Sequence, residues 1–168
     1  MGEFNNVVSY VCKAYNQTTE IVQSVSDQAT WYRMRLSDDP EEADITKIVE
    51  KGSIGTDLYG GKFIVSQLGV YFFNLGFSFM GSASANYKIR ATLNGTQIDQ
   101  SVCQFTTRGT NVRWEVGMTF LVDLGYRSGT ETSGLYSSKN DIEIGYQNVL
   151  GEGDLDLVNG IYNVMKIG

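Results

Sequence analysis

Apolar and polar residues alternate along most of the chain, which is the period of an extended strand. The segment 69–79, GVYFFNLGFSF, shows this most clearly, because every second position from Tyr71 to Phe79 is aromatic or aliphatic. Such alternation is typical of strands with one buried face and one wetter face, as in antiparallel sheets. Further runs of this kind occupy residues 30–36, 61–67, 87–93, 96–107, 112–124, 141–147 and 160–167.

Glycine and asparagine lie between these runs and predict tight turns. Asn94-Gly95 separates two alternating segments and predicts a hairpin, because a type I′ turn needs positive φ at both of its central residues. The chain has nineteen glycines and a single proline, Pro40, so we expect many turns and little linker. About eight strands at this spacing predict an all-β fold, a two-sheet antiparallel sandwich or jelly roll.

The N-terminal segment can be interpreted in two ways. It is rich in β-branched residues and is compatible with two strands, NNVVSYVCKAY and TTEIVQSV. It also shows the spacing of a heptad seam, at Val8, Val11, Tyr15, Thr18, Val22 and Val25. We predict an arm, a stalk or a docking segment over residues 1–27, helical or extended, and one domain over residues 28–168.

Two polar segments interrupt the strand pattern. SDDPEEAD, residues 37–44, is interpreted as a solvated acidic loop turned at Pro40, with a calcium site as the alternative reading of its carboxylates. Residues 126–140 are rich in serine, glycine and threonine and are predicted to form a long exposed loop between two core strands.

Charge and hydropathy argue against two classes of partner. The net charge is −6 and the thirteen basic residues are scattered, so we expect no nucleic-acid footprint, which needs a clustered basic stripe. No segment approaches the roughly 20 apolar residues of a membrane-spanning helix. The N-terminus shows no signal peptide, and we expect no membrane partner.

Candidate catalytic and metal-binding groups are few. The chain has no histidine and only two cysteines, Cys12 and Cys103, so we expect no zinc site and no hydrolytic triad. The remaining candidates for the catalytic groups of a hydrolase acting on polysaccharide are carboxylates. They are Asp141 and the pair Asp154 and Asp156, which lies in the motif GEGDLDL. The favoured interpretation of that motif is a solvated hairpin turn leading into the last strand, and we predict no enzyme, no metal and no cofactor.

Four short motifs follow one another in a recognisable order between residue 69 and the C-terminus. Gly69, Tyr71 and Phe73 form a Gly-x-Tyr-x-Phe strand. The elements that follow are Leu93, Asn94 and Gly95, then Asn140, Asp141, Ile142 and Ile144, and last Gly160, Tyr162 and Val164. Over residues 28–168 this series resembles the C1q/TNF-like jelly-roll superfamily.

The resemblance implies a homotrimer in which aromatic side chains pack in the core and near the three-fold axis. The residues assigned to this trimer interface or core are Tyr71, Phe72, Phe73, Phe77, Phe79, Tyr146 and Tyr162. In the alternative arrangement, the face that begins at Tyr71 fills the protomer's own core while Phe72 meets the partner.

Trimeric jelly rolls of this kind are similar to phage virion proteins. We therefore expect a virion structural protein, a capsid decoration (cement) or head-fibre protein, made in the host cytoplasm and held to the major capsid or another virion protein through its N-terminal region. The alternative is a tail-fibre tip or a module binding a host surface glycan, with Tyr126 and Tyr136 as candidate ligand-binding loop residues and Trp114 as a further aromatic candidate.

Overall fold

A computed structural model describes residues 9–81, 84–109, 112–124, 140–151 and 153–168, except for the side chains of residues 17 and 18. Nearly all regular structure in these residues is β-strand. The strands are β1 (Tyr10–Gln23), β2 (Tyr32–Arg33), β3 (Ile45–Lys51), β4 (Ile54–Asp57), β5 (Lys62–Val65), β6 (Val70–Gly81), β7 (Ala85–Leu93), β8 (Thr96–Gln97), β9 (Cys103–Thr107), β10 (Arg113–Asp123), β11 (Asn140–Leu150) and β12 (Leu155–Lys166). A single 3₁₀ turn, Asp99–Ser101, separates β8 from β9.

The strands form two antiparallel sheets. Sheet 1 has the order β10-β6-β12-β1-β3, and sheet 2 has the order β4-β5-β11-β7-β8, with β2 added on β11 and β9 on β7. Neighbours such as β1 and β12 are far apart in sequence, which is the long-range pairing of Greek-key and jelly-roll folds. The predicted fold class, a two-sheet antiparallel jelly roll, is confirmed.

The aromatic face of β6 packs against sheet 2 inside the protomer. Tyr71, Phe73 and Phe79 are fully buried. Phe73 stacks on Phe120 of β10 with ring centroids 4.8 Å apart and meets Phe63 of sheet 2 edge-on at 5.7 Å. Burial of each such ring contributes about 2–3 kcal/mol by area. This face therefore stabilises the single protomer.

The predicted hairpin at Asn94-Gly95 is present. Leu93 pairs with Thr96, and the two residues between them have φ of 48° and 87°. Both values lie in the left-handed region that a type I′ turn requires. The turn at Pro40 is also present, since the Glu42 N–H donates to the Asp39 carbonyl at 2.9 Å.

The domain boundary predicted at residue 27 is wrong, and so is the helical form of the predicted stalk, because β1 is a strand of the domain. This strand lies inside sheet 1 between β12 and β3, so residues 10–23 belong to the jelly roll. The residues that showed the spacing of a heptad seam lie on both faces of a bulged strand. Val11 and Tyr15 are buried, whereas Val22 is 46% exposed. The bulge falls between Asn16 and Ile21. The segment is therefore extended, as one of the two interpretations predicted, but it forms one long strand and not two.

Candidate functional site

The outer face of sheet 1 carries three consecutive cross-strand rows without a charged side chain. Each row contains one residue from β10, β6, β12 and β1, in that order. The rows are Leu121–Phe72–Met165–Tyr10, Thr119–Asn74–Asn163–Cys12 and Gly117–Gly76–Ile161–Ala14. We call these twelve residues the uncharged face.

Large apolar side chains on the uncharged face are open to solvent. Leu121 is 53% exposed, Ile161 52% and Met165 45%. Their neighbours along each strand, such as Phe120, Tyr162 and Val164, are buried, so strand alternation directs the exposed set away from the core. Single exposed apolar residues are ordinary, but a contiguous group indicates an interaction surface.

Two glycines, Gly117 of the edge strand β10 and Gly76 of β6, are cross-strand partners. A Cβ at Gly117 would meet nothing within 4 Å, and one at Gly76 would lie 4.0 Å from the Ile161 carbonyl oxygen. Neither packing nor a positive φ therefore requires glycine at either position. Glycine inside a strand weakens it and often marks a place where another backbone approaches closely.

Charged residues border the uncharged face at both ends, with Glu115 in the row next to Gly117 and Asp123 in the row beyond Leu121. Arg113 of β10 and Asp156 of β12 lie in one row, on either side of Met80. One Asp156 carboxylate oxygen is buried and has no hydrogen-bond partner among the described residues. Burial, followed by the nearby Glu20 and Asp154 charges, raises the pKa of the Asp156 carboxyl. An uncharged centre with a charged border is the usual organisation of a protein interface.

The structure distributes the seven predicted interface or core residues between two environments. Phe72 alone lies on the outer face of sheet 1. Tyr71, Phe73, Phe77, Phe79, Tyr146 and Tyr162 are buried in the protomer's core. The Tyr162 hydroxyl donates to the Leu36 carbonyl at 3.0 Å, and burial raises its pKa well above the ordinary value. Burial likewise raises the pKa of Tyr146 to about 12.

Sequence reasoning missed most of the uncharged face, including Leu121, Ile161 and Met165. The available signal was the outward positions of β6, β10 and β12, where amides, glycines and aliphatic residues replace the charged residues usual on a solvent-facing strand.

The other candidate residues are placed as follows. Trp114 is half-buried on the core side of β10 and is no loop residue. Tyr126 and Tyr136, like most of the predicted 126–140 loop, lie outside the described residues.

In the acidic loop, the Asp44 carboxylate accepts hydrogen bonds from the Ser37 hydroxyl and the Asp38 N–H.

Two of the three candidate hydrolytic carboxylates, Asp141 and Asp154, are engaged in structural contacts. Asp141 accepts the Lys62 ammonium at 3.1 Å, and Asp154 accepts the Val25 N–H at 2.8 Å. Across the described ranges, no cluster of three or more His, Cys, Asp or Glu side chains is placed to hold a metal ion.

Comparison with known proteins establishes the fold. No protein-family model and no curated protein matches the sequence. Among solved structures, murine APRIL at pH 5.0 aligns with a TM-score of 0.57 and 8% identity, over 95% of this chain and 99% of that chain. Murine APRIL at pH 8.0 aligns with a TM-score of 0.55, 10% identity and the same coverage. The Eiger TNF structure from S. frugiperda gives 0.48 and 10% identity, over 96% of this chain and 92% of that chain. The two APRIL alignments show that the chain has a TNF-like jelly-roll fold.

The part of the chain that the structure describes contains no helix long and apolar enough to span a bilayer.

Proposed function

We propose that this protein is a non-enzymatic structural module that functions as a homotrimer, with the uncharged face as the contact between copies. The observation that carries the proposal is the set of three charge-free rows across four strands. Sheet 1 already has a complete core on its other side, so folding of the protomer leaves these rows uncovered. A second copy would remove their apolar side chains from water.

The shape of the uncharged face supports close packing between copies. Gly76 and Gly117 leave a flat area next to the exposed Ile161 and two rows away from Leu121. An exposed apolar side chain of one copy could then pack onto the flat area of another copy, because the two glycines have no side chain to displace. Packed interface centres of this kind reach the density of a protein interior.

The choice of three copies, arranged as a closed ring, is based on the resemblance to C1q/TNF-like jelly rolls. Such a ring is compatible with the charged residues that border the uncharged face. A ring of three joins unlike patches of neighbouring copies. Arg113 lies on the edge strand β10, whereas Asp156 and Glu20 lie on the inner strands β12 and β1. A head-to-tail contact could bring this arginine to the two carboxylates of the next copy, and pairing a buried carboxylate would offset its desolvation.

We further propose that the trimer belongs to a virion, as a capsid decoration or head-fibre protein. This setting is supported by the sequence resemblance and by the proposed self-association, which suits a repeated external element of a particle. A module binding a receptor or glycan remains the second candidate, and the outer face of sheet 2 favours it through a cleft that contains aromatic and charged residues.

Light scattering tests the trimer. We expect a mass near three times 18.6 kDa, about 56 kDa, for the natural chain. Leu121→Asp should give a folded protein of 18.6 kDa. Leu150→Asp is the matched control, because Leu150 is 62% exposed at the end of β11 in sheet 2. A trimer that survives Leu121→Asp would refute the assigned face.

The virion setting has its own test. Particles produced from the genome that carries this coding sequence should contain the chain in multiples of three copies per attachment site, as measured by quantitative mass spectrometry. Particles that lack the chain, together with a soluble trimer in the same lysate, would refute the virion role and leave the trimer intact.

A further inference from the structure

The outer face of sheet 2 contains a cleft of about 220 Å³ between β2, β11 and β7. Gly145 of β11 lies at its centre and is the cross-strand partner of both Arg33 on β2 and Arg90 on β7. Two strand spacings, about 10 Å, separate the backbones of the two arginines, and Gly145 itself places no side chain between them. We call this feature the Gly145 cleft.

Glycine is favoured at the floor of the cleft because the Tyr32 carbonyl oxygen lies against it. A Cβ at position 145 would lie 3.2 Å from the Tyr32 carbonyl oxygen and 3.7 Å from a ring carbon of Trp31. The first distance is tighter than ordinary van der Waals contact. The missing side chain therefore leaves space for the Tyr32 carbonyl and the Trp31 indole, which lie over Gly145 and line the cleft.

Arg90 is held in place by two contacts. Its guanidinium carbon lies 4.0 Å from the centroid of the Trp31 ring, and its Nη1 donates to the Gln97 amide oxygen at 3.0 Å. Stacking on an aromatic face fixes the plane of the guanidinium group. A guanidinium has five N–H donors, so most donors of Arg90 remain open to a ligand in a fixed orientation.

Arg33 and Glu143 provide the other side of the cleft. Arg33 Nη2 donates to Glu143 Oε1 at 2.7 Å, and the two side chains are 52% and 28% exposed. Thr92 also lines the cleft. Two arginines and one glutamate give this cleft a local charge of +1 in a chain whose net charge is −6, so the cleft is a local site for an anion.

We propose that the Gly145 cleft binds a sugar acid, a saccharide unit that carries a carboxylate. Planar guanidinium groups match the planar carboxylate, and Glu143 and Thr92 can accept or share hydrogen bonds with ring hydroxyls. Glu143 would repel a doubly charged phosphate more than a singly charged carboxylate. The volume is below the roughly 300–1,000 Å³ of drug-sized sites, which limits the occupant to about one ring.

The cleft remains open in the proposed trimer, because it lies on the outer face of sheet 2 and the uncharged face lies on sheet 1. Its geometry is complete within one protomer and does not depend on association. A trimer would present three such clefts, so millimolar binding at each could sum to stronger attachment to a polymer of sugar acids.

Titration with glucuronate, followed by NMR of the indole N–H groups, tests the proposal, with the Trp31 signal assigned from Trp31→Phe. We expect saturable shifts of that signal with Kd on the order of 1 mM in low salt, and no shift with glucose. Arg90→Gln should weaken binding at least about tenfold, the loss of one charge-assisted contact. Lys88→Gln is the matched control, because it removes a charge two positions along the same strand that does not line the cleft, and it should weaken binding much less than Arg90→Gln does.

Several results would overturn the proposal: no saturable shift with glucuronate, equal shifts with glucose, inorganic phosphate binding as tightly as glucuronate, or unchanged binding in Arg90→Gln. Arg33→Gln, at a half-exposed position, repeats the test if Arg90→Gln fails to fold. Light scattering on the same samples separates the two claims, since a monomer that binds glucuronate would refute only the trimer and a trimer that does not bind would refute only the cleft.

Discussion

The two sheets have similar inner faces and contrasting outer faces. Both bury aromatic and aliphatic residues against each other in one core. The outer face of sheet 2 carries paired charges, with Lys62–Asp141 at 3.1 Å and Arg33–Glu143 at 2.7 Å. The centre of sheet 1 has no charge over three rows, as described above. Water-facing sheets normally carry polar residues, so the contrast supports the proposal that the uncharged face of sheet 1 is the contact between copies.

The largest expected effect separates the two faces of a single strand. Phe73→Ala removes a core ring that contacts Phe63 and Phe120, and should lower the free energy of unfolding by about 3–5 kcal/mol. Phe72→Ala removes an outward ring from the uncharged face and should change the unfolding of the protomer far less while weakening self-association. Urea unfolding at low protein concentration and light scattering at high concentration measure the two effects. Equal losses of unfolding free energy would contradict this division.

A second prediction uses Cys12, which lies in the uncharged face. In a Cys103→Ser background, alkylation of Cys12 should be at least about tenfold slower in the trimer than in the Leu121→Asp monomer, since a covered thiol is accessible only after dissociation. Burial raises the pKa of this thiol, so both proteins are compared at one alkaline pH. Equal rates would place Cys12 outside the contact.

Sequence patterns predicted the fold well where strands have one buried face. β6 and β10 begin and end within a few residues of the alternating runs, whereas β12 begins at Leu155, well before the predicted run 160–167. β3 was missed because six of its seven residues, ITKIVEK, are exposed, so an edge strand carries no alternation of burial. The run 96–107 was predicted to be continuous, but the turn containing the buried Ser101 interrupts it.

Less of the candidate site could be predicted. Phe72 was identified because it interrupts the polar side of an aromatic strand. Leu121 lies on β10, whereas Ile161 and Met165 lie on β12, and only strand order and register bring these two distant stretches of chain next to β6. The Gly145 cleft depends on the pairing of β2 with β11, which no local pattern indicates.

A smaller effect concerns the charged border of the uncharged face. Because burial raises the pKa of Asp156, the folded chain retains its proton to higher pH than the unfolded chain, and stability falls as pH rises above the ordinary value of 3.8. Asp156→Asn should therefore raise the urea midpoint of the protomer at about pH 7 and leave it unchanged near pH 3. An equal change at both pH values would contradict this assignment.

The smallest effect is expected on sheet 2. Arg33→Ala breaks a half-exposed ion pair with Glu143 and should lower the free energy of unfolding by less than about 1 kcal/mol. The mass in solution should not change. Urea unfolding and light scattering check both statements, and dissociation of the trimer would show that sheet 2 also contributes to the contact.

The most direct test of the covered face places a lysine where the protomer has room for it. Gly117→Lys adds a charge to open space on β10, and Gly55→Lys adds the same charge on β4 of sheet 2, where a Cβ meets Ile64 at an ordinary 3.5 Å. Sedimentation equilibrium at micromolar concentration should give about three times 18.6 kDa for the natural chain and for Gly55→Lys, and a folded 18.6 kDa species for Gly117→Lys. A natural chain that sediments as a folded monomer, or a Gly117→Lys protein that remains a trimer, would contradict the account.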